Sequence, residues 1–378
     1  MVRTACKRIL AVACTLALAA GIALIPVAAK TPALDAKEQA QATAASLAAA
    51  IRDDVSYKDG RSVYLILRAG VQDETLIQNY KTSLLAGLAA DGDAGKLVDE
   101  SGYDPTADVL AYHAYAAGVY TLLGEDPKDV GGHDQLALLF EETDSAVLLA
   151  ENPYHFFIYL QLAGYAEKTA AADSLVGKLT DYYDADAGVF SFWGDPSWAS
   201  VDDVGTAVAA LAPYYDRAEV KAAVDGALAW LKNQRRDDGY MGYAGLSSSS
   251  TAYALACYAR TGGTADAYAA YAMLSNFRIG DGGLYGAALG DTEADYAFSM
   301  PDALFGLHAF YRSMVPVDPV EPEPKPEPKP EPKPEPDPET EPNPPTGDTG
   351  AAVLAALAAA AVLAAAAVTK KKRTERIG

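Results

Sequence analysis

Ala252-Tyr253-Ala254-Leu255-Ala256-Cys257-Tyr258 and Val109-Leu110-Ala111-Tyr112-His113-Ala114-Tyr115 are apolar on nearly every face when wound as helices. A helix of that kind is stable only when protein surrounds it. By contrast, Glu219-Val220-Lys221-Ala222-Ala223-Val224-Asp225-Gly226-Ala227-Leu228-Ala229-Trp230-Leu231 carries its charges on one side and faces water. The two kinds of segment alternate through residues 38–314, six of each. An inner ring of buried helices enclosed by an outer ring buries both kinds. The pattern therefore predicts an all-α fold, an α6/α6 toroid of six helical hairpins over residues 30–314.

The period supports this. Helix-start features recur at Asp104-Pro105, Asn152-Pro153, Asp202-Asp203, Ser250-Thr251 and Ser299-Met300-Pro301, at intervals of 48 to 50 residues, with a degenerate start near Asp59-Gly60. Asp or Asn before Pro supplies an N-cap followed by a residue already fixed at helical φ, and the Ser and Asp pairs cap in the same way.

Outside this block the composition changes. The 378 residues carry a formal charge of −21 and are 50% hydrophobic, which excludes a disordered acidic polypeptide and a basic nucleic-acid binder. Arg3, Lys7 and Arg8 precede an apolar run from Ile9 to Val27 that ends in small residues, so residues 1–29 read as a secretory signal peptide, with a retained membrane anchor as the alternative. The exported chain then keeps Cys257 alone, and its stability rests on its apolar core, not on a disulfide. Fourteen of the 22 prolines fall between Pro316 and Pro345. Proline at every second position favours polyproline II, so residues 315–342 form a semi-rigid stalk on the order of 90 Å long.

Asn343-Pro344-Pro345-Thr346-Gly347, the apolar run 350–368 and Lys370-Lys371-Lys372-Arg373 follow in that order. Residues 343–378 resemble the cell-wall sorting signal of Gram-positive surface proteins. The resemblance implies that the run 350–368 holds the chain in the membrane until a sortase cuts between Thr346 and Gly347 and joins Thr346 to peptidoglycan. Asn343 departs from the family's usual Leu, which leaves the sortase class open; an ordinary single-span anchor is the alternative. Either way residues 30–345 lie outside the cell. Loss of both ends takes the charge from −21 to −27 and leaves neutral or cationic partners, not nucleic acid.

Within the helical block, Ser200-Val201-Asp202-Asp203-Val204-Gly205-Thr206-Ala207-Val208-Ala209-Ala210-Leu211-Ala212-Pro213-Tyr214-Tyr215 resembles an inner helix of the terpene-cyclase and protein-prenyltransferase toroids. Trp230 to Tyr240 resembles that group's Gln-x-x-Asp-Gly-Gly turn, Gly280 to Gly286 repeats it without the Gln, and Asp184 to Trp193 is a weaker copy. The resemblance covers roughly residues 180–312 and supports a fold more than an activity.

In such a toroid all inner helices start at one rim, where the loops 91–103, 184–199, 234–249 and 278–298 gather with Asp108, Asp202, Asp203 and Asp302. Two readings of the Asp202-Asp203 pair stand. Either one carboxyl is desolvated and acts as an acid, or both cap the helix and oppose its macrodipole. The middle Asp of the class II cyclase motif maps onto Asp202, but Ser200 replaces the motif's first Asp. The zinc pattern of the prenyltransferases is incomplete around Cys257, since Leu255 stands two positions before it, so Cys257 is read as a core thiol and neither metal nor cofactor is expected. Asp91-Gly92-Asp93-Ala94-Gly95 lacks the acid that a calcium loop needs at its twelfth position. The surrounding sequence likewise excludes the thioester of complement-like relatives, and the stalk leaves no β-domain for a cobalamin clamp.

Tyrosines outnumber phenylalanines 23 to 9, and Tyr112, His113, Tyr154, His155, Tyr253 and His308 fall on inner segments. These six are the candidate ligand-binding residues, presenting flat faces with hydroxyls suited to a sugar or polycyclic ligand. The expected function is a cell-wall-anchored surface protein whose toroid is a non-catalytic ligand-binding or adhesion module for an unidentified extracellular ligand. The alternative is an extracellular enzyme, a glycan lyase or hydrolase or a terpenoid-cyclase-like protein, with Asp202 and Asp203 as its catalytic pair.

Overall fold

In chain order the helices of more than one turn are α1 (Pro32–Ile51), α2 (Gly60–Arg68), α3 (Glu74–Ala90), α4 (Val109–Leu122), α5 (Ser145–Glu151), α6 (Phe156–Tyr165), α7 (Thr169–Thr180), α8 (Val201–Leu211), α9 (Ala218–Gln234), α10 (Ser248–Arg260), α11 (Thr264–Leu274) and α12 (Ser299–Met314). The computed structural model describes residues 32–90, 97, 109–151 and 153–314, and the chain is mostly helical over them. The chain divides into two units, Met1–Asp318 and Pro319–Gly378, and every described residue belongs to the first. The signal peptide 1–29, the stalk 315–342 and the sorting signal 343–378, with Thr346 and Gly347, lie outside the described residues. So do Asp104-Pro105, Asp108, Asn152 and the loop at 91–95. No described helix is long and apolar enough to cross a membrane.

The even-numbered helices are the buried ones. In α8 every residue is buried except Asp202, and in α10 every residue except Ser249 and Arg260. Neighbouring even helices touch in sequence, α2 on α4, α4 on α6, α6 on α8, α8 on α10 and α10 on α12; α12 then packs back against α2 and closes the cycle. The odd-numbered helices bury only one stripe, as α9 does with Val220, Ala223, Val224, Ala227 and Leu231. Close approach within the cycle depends on glycine. A β-carbon on Gly306 of α12 would meet the Ala252 carbonyl oxygen of α10 at 2.6 Å, and one on Gly205 of α8 would meet Tyr253 Cβ at 2.6 Å.

Two details differ from expectation. The three predicted turn copies are antiparallel hairpins of short strands, β1 (Tyr183–Asp184) with β2 (Val189–Phe190), β3 (Tyr240–Gly242) with β4 (Gly245–Ser247), and β5 (Arg278–Ile279) with β6 (Leu284–Tyr285). Each precedes a buried helix, α8, α10 or α12. The caps also lie earlier than the Asp202-Asp203 and Ser250-Thr251 starts. Ser200 and Ser247, both extended, cap α8 and α10 by accepting from the amides of Asp203 and Ser250. Serine in an extended residue reaches the third helical amide, which an Asp already inside the first turn cannot do.

Candidate functional site at the rim of the buried helices

The starts of the buried helices surround one cavity of about 660 Å³. Each helix or the turn before it contributes: Arg61 from α2, Tyr112 and Tyr115 from α4, Tyr154 and His155 from the turn Pro153–His155 ahead of α6, Asp202 from α8, Ser250 and Tyr253 from α10, and Asp302 from α12. The loops ahead of α10 and α12 add Tyr243 and Phe298, which are exposed, so the cavity reaches solvent at this rim. Behind Tyr253, Phe305 lies 5.8 Å away ring to ring and packs edge-on to Phe157, with centroids 5.3 Å apart; these two phenylalanines line a separate, much smaller cavity.

Arg61 organises the polar wall. Its Nη2 donates to the Asp302 carboxylate at 2.5 Å and to the Tyr253 hydroxyl at 3.2 Å. Burial by itself lowers an arginine's pKa, but Tyr253 and Asp302 outweigh it and raise that of Arg61, which stays cationic. Burial and the Asp302 charge push the Tyr253 phenol well above its ordinary value, so it stays protonated. His155 has its Nδ1 3.0 Å from the Tyr115 hydroxyl, and burial with the Arg61 charge pushes its pKa down to about 3. The imidazole is therefore neutral at physiological pH.

The adjacent acids separate into two roles. Asp203 is fully buried and turns back into the wall: its carboxylate accepts from the Ser200 amide at 3.4 Å and from the Tyr154 hydroxyl at 2.5 Å, the reciprocal half of the Ser200 cap. Asp202 faces the cavity. Its Oδ1 is shielded from solvent and has no hydrogen-bond partner. Burial pushes its pKa up to about 7; the Ser250 hydroxyl opposes this, and the Asp302 and Asp203 charges add to it. Two further carboxylates on the cavity are occupied by local structure. Asp59 accepts from the Ser56 amide and hydroxyl, and Asp295 from the amides of Ala297, Phe298 and Ser299.

Of the expected ligand-binding residues, Tyr112, Tyr154, His155 and Tyr253 line the cavity. His113 does not. It points away from the cavity, where Nδ1 donates to Gln135 Oε1 at 2.6 Å and Nε2 accepts from the Leu97 amide at 3.1 Å, an arrangement that fixes its tautomer. His308 lies near the opposite end of α12, edge-on to Tyr311. Cys257 is fully buried within α10, and burial pushes its thiol pKa up. Arg61 is the residue that sequence reasoning missed. The available signal was a cation in a first helical turn, where it opposes the macrodipole and so needs another reason to be there.

No protein-family model matches the chain, and no curated protein matches it. Among solved structures the chain is similar to a polysaccharide lyase. The match covers 75% of this chain and 98% of the lyase at a TM-score of 0.50 and 13% identity, a likeness of fold.

Proposed function

We propose that this chain is a glycan-cleaving enzyme built on an α/α toroid, with Asp202 as the proton donor. The observation that carries this reading is the Asp202 carboxyl, held in the cavity with an unpartnered oxygen and a pKa near 7. β-Elimination at a uronate is the form of cleavage that the likeness to a polysaccharide lyase supports. Arg61, shielded at the cavity edge and held by Asp302 and Tyr253, is the cation that would meet the substrate carboxylate.

In that reaction the substrate carboxylate lies against Arg61. His155 removes the C5 proton, and the electron pair forms the C4=C5 bond as the C4–O bond breaks. Asp202 protonates the departing oxygen. Burial first, and the Arg61 charge second, depress His155; the substrate's negative charge offsets the second of these. A hydrocarbon substrate of the cyclase type is less well served by a wall that carries Arg61, His155 and several hydroxyls.

The test is incubation of the protein with polygalacturonate, alginate, hyaluronan, chondroitin and a neutral glucan. Ultraviolet absorbance reports a conjugated C4=C5 bond, and a reducing-end assay reports any cleavage. A rise in both with one uronate polymer, absent in Asp202→Asn, is the expected result. New ends without absorbance mean hydrolysis. Binding without cleavage returns the chain to a ligand-binding or adhesion module, and neither binding nor cleavage removes the glycan reading.

The two ends of the sequence support the further proposal of export by residues 1–29 and attachment to peptidoglycan through Thr346 after sortase cleavage, with residues 350–368 as the transient membrane anchor. Mass spectrometry of a digested cell-wall fraction tests it, through a peptide ending in cross-linked Thr346.

A further inference from the structure

At the other end of the buried helices, beyond Phe157, cations gather with no ion pair among the described residues. Arg68 is the last residue of α2, Arg260 the last of α10, and Arg312 lies in the last turn of α12. Arg68 and Arg260 both lie against the ring of Phe157, with Cζ 5.1 Å and 4.4 Å from its centroid. Tyr311 donates to the Arg68 carbonyl at 3.5 Å and packs edge-on to His308, which joins α12 to the same group.

These guanidinium groups are under-used. Arg68 directs Nη1 to Tyr64 and Gln161, each at 3.3 Å, and Arg260 directs Nη1 to the Ala209 carbonyl at 2.7 Å. Arg312 makes no side-chain hydrogen bond among the described residues, and none of the three arginines forms an ion pair there. A guanidinium offers five donors in a planar fork, so most of the donor capacity of the cluster is unfilled. The mutual repulsion is visible in its neighbours. Burial and the Arg68 charge bring Arg260 down to about 10, while burial and the charges of Arg68, Arg312 and Arg260 bring His308 down to about 2.

Helix macrodipoles account for one cation at each C-terminus. The Phe157 ring attracts both guanidinium groups but accepts few of their N–H donors. In a chain of formal charge −21, such a concentration of positive charge with no ion pair among the described residues suits an anion.

We infer that this end of the fold binds a multivalent oxyanion, a phosphate or sulfate that is either free or an ester on a sugar, between Arg68, Arg260 and Arg312. The site is separate from the rim cavity and does not rest on the enzymatic reading.

The experiment titrates the protein with inorganic phosphate, sulfate, glucose 6-phosphate and glucose 6-sulfate at constant ionic strength, with chloride as the reference. Melting temperature and the NMR signals of the His308 ring are followed. The expected result is a saturable rise in melting temperature and a matching shift of His308, with affinity weakened about tenfold or more in Arg68→Gln and in Arg260→Gln, and unchanged in Arg235→Gln, a residue at the end of the outer helix α9. Tighter binding of the esters identifies a sugar-borne group, and equal or tighter binding of the inorganic ions identifies a free one. If the Gln variants do not fold, the saturable His308 shift in the unmodified protein carries the test alone. The absence of a saturable shift, or the same shift with chloride, overturns the inference.

Discussion

Arg61, the second residue of α2, and Asp302, in the first turn of α12, stand 241 positions apart in sequence and 2.5 Å apart in space. Their ion pair ties the first buried helix to the last at the edge of the cavity. Both side chains are largely shielded, 24% and 6% exposed, so removing one partner strands the other charge. Asp302→Asn is expected to destabilise the protein by about 3 kcal/mol, measured as a lower urea midpoint. The double variant Arg61→Met with Asp302→Leu should recover much of that loss. Equal midpoints for Asp302→Asn and the unmodified protein would show that the pair contributes nothing.

Gly306 leaves no room for a side chain, because the obstacle is the Ala252 backbone, which cannot rotate away. Gly306→Val is expected to cost about 2 kcal/mol or more by forcing α12 off α10. Gly164→Val meets nothing within 4 Å and is the control, reporting only the somewhat higher helix propensity of valine over glycine. Similar melting temperatures for the two variants would contradict the close α10–α12 approach.

Asp202 makes stability depend on pH with a definite sign. Its folded pKa, pushed up to about 7 by burial, lies above the value of an unfolded chain, so the folded state holds the proton more tightly. That contribution is complete below about pH 4 and is lost as pH rises through about 7. Asp202→Asn removes the effect. The variant should match the unmodified protein near pH 4 and exceed it near pH 8 by up to about 3 kcal/mol. Asp203, raised by burial in spite of the Tyr154 and Ser200 hydrogen bonds, adds a slope of the same sign that Asp202→Asn leaves in place.

Tyr253→Phe removes the hydroxyl that accepts from Arg61 while keeping the ring against Phe305. If the rim cavity cleaves glycans, KM should rise about tenfold with kcat changed little, because Arg61 loses a partner that orients it toward the substrate carboxylate. A fall in kcat at constant KM would give Tyr253 a part in proton transfer instead.

The alternation of wholly apolar and one-sided helices was legible in residues such as Ala252 to Tyr258, because burial on every side leaves no polar position to interrupt the run. The rim was legible as well, since the helix-start signals recur every 48 to 50 residues and put Asp202 and Asp302 in equivalent first turns. Orientation at single-residue precision was not. Asp202 and Asp203 are adjacent, yet a rotation of about 100° sends one into the cavity and the other back to Ser200. Tyr112 and His113 part in the same way. The hairpins escaped notice because strands of two or three residues are too short to show a period of two. Arg61 escaped because the first repeat begins with a different cap, Ser56 over a short turn at Tyr57–Asp59, which hides its equivalence to Asp202.

The return of α12 onto α2 has a consequence for how such a protein changes over generations. A linear stack of helical hairpins can gain or lose a unit, since only its end is redefined. In a closed cycle there is no end to redefine. Adding one hairpin would alter every angle between neighbouring helices and part Arg61 from Asp302. A change in the number of units is therefore costly, whereas the loops ahead of α10 and α12, which border the cavity mouth, can change with the helical frame intact.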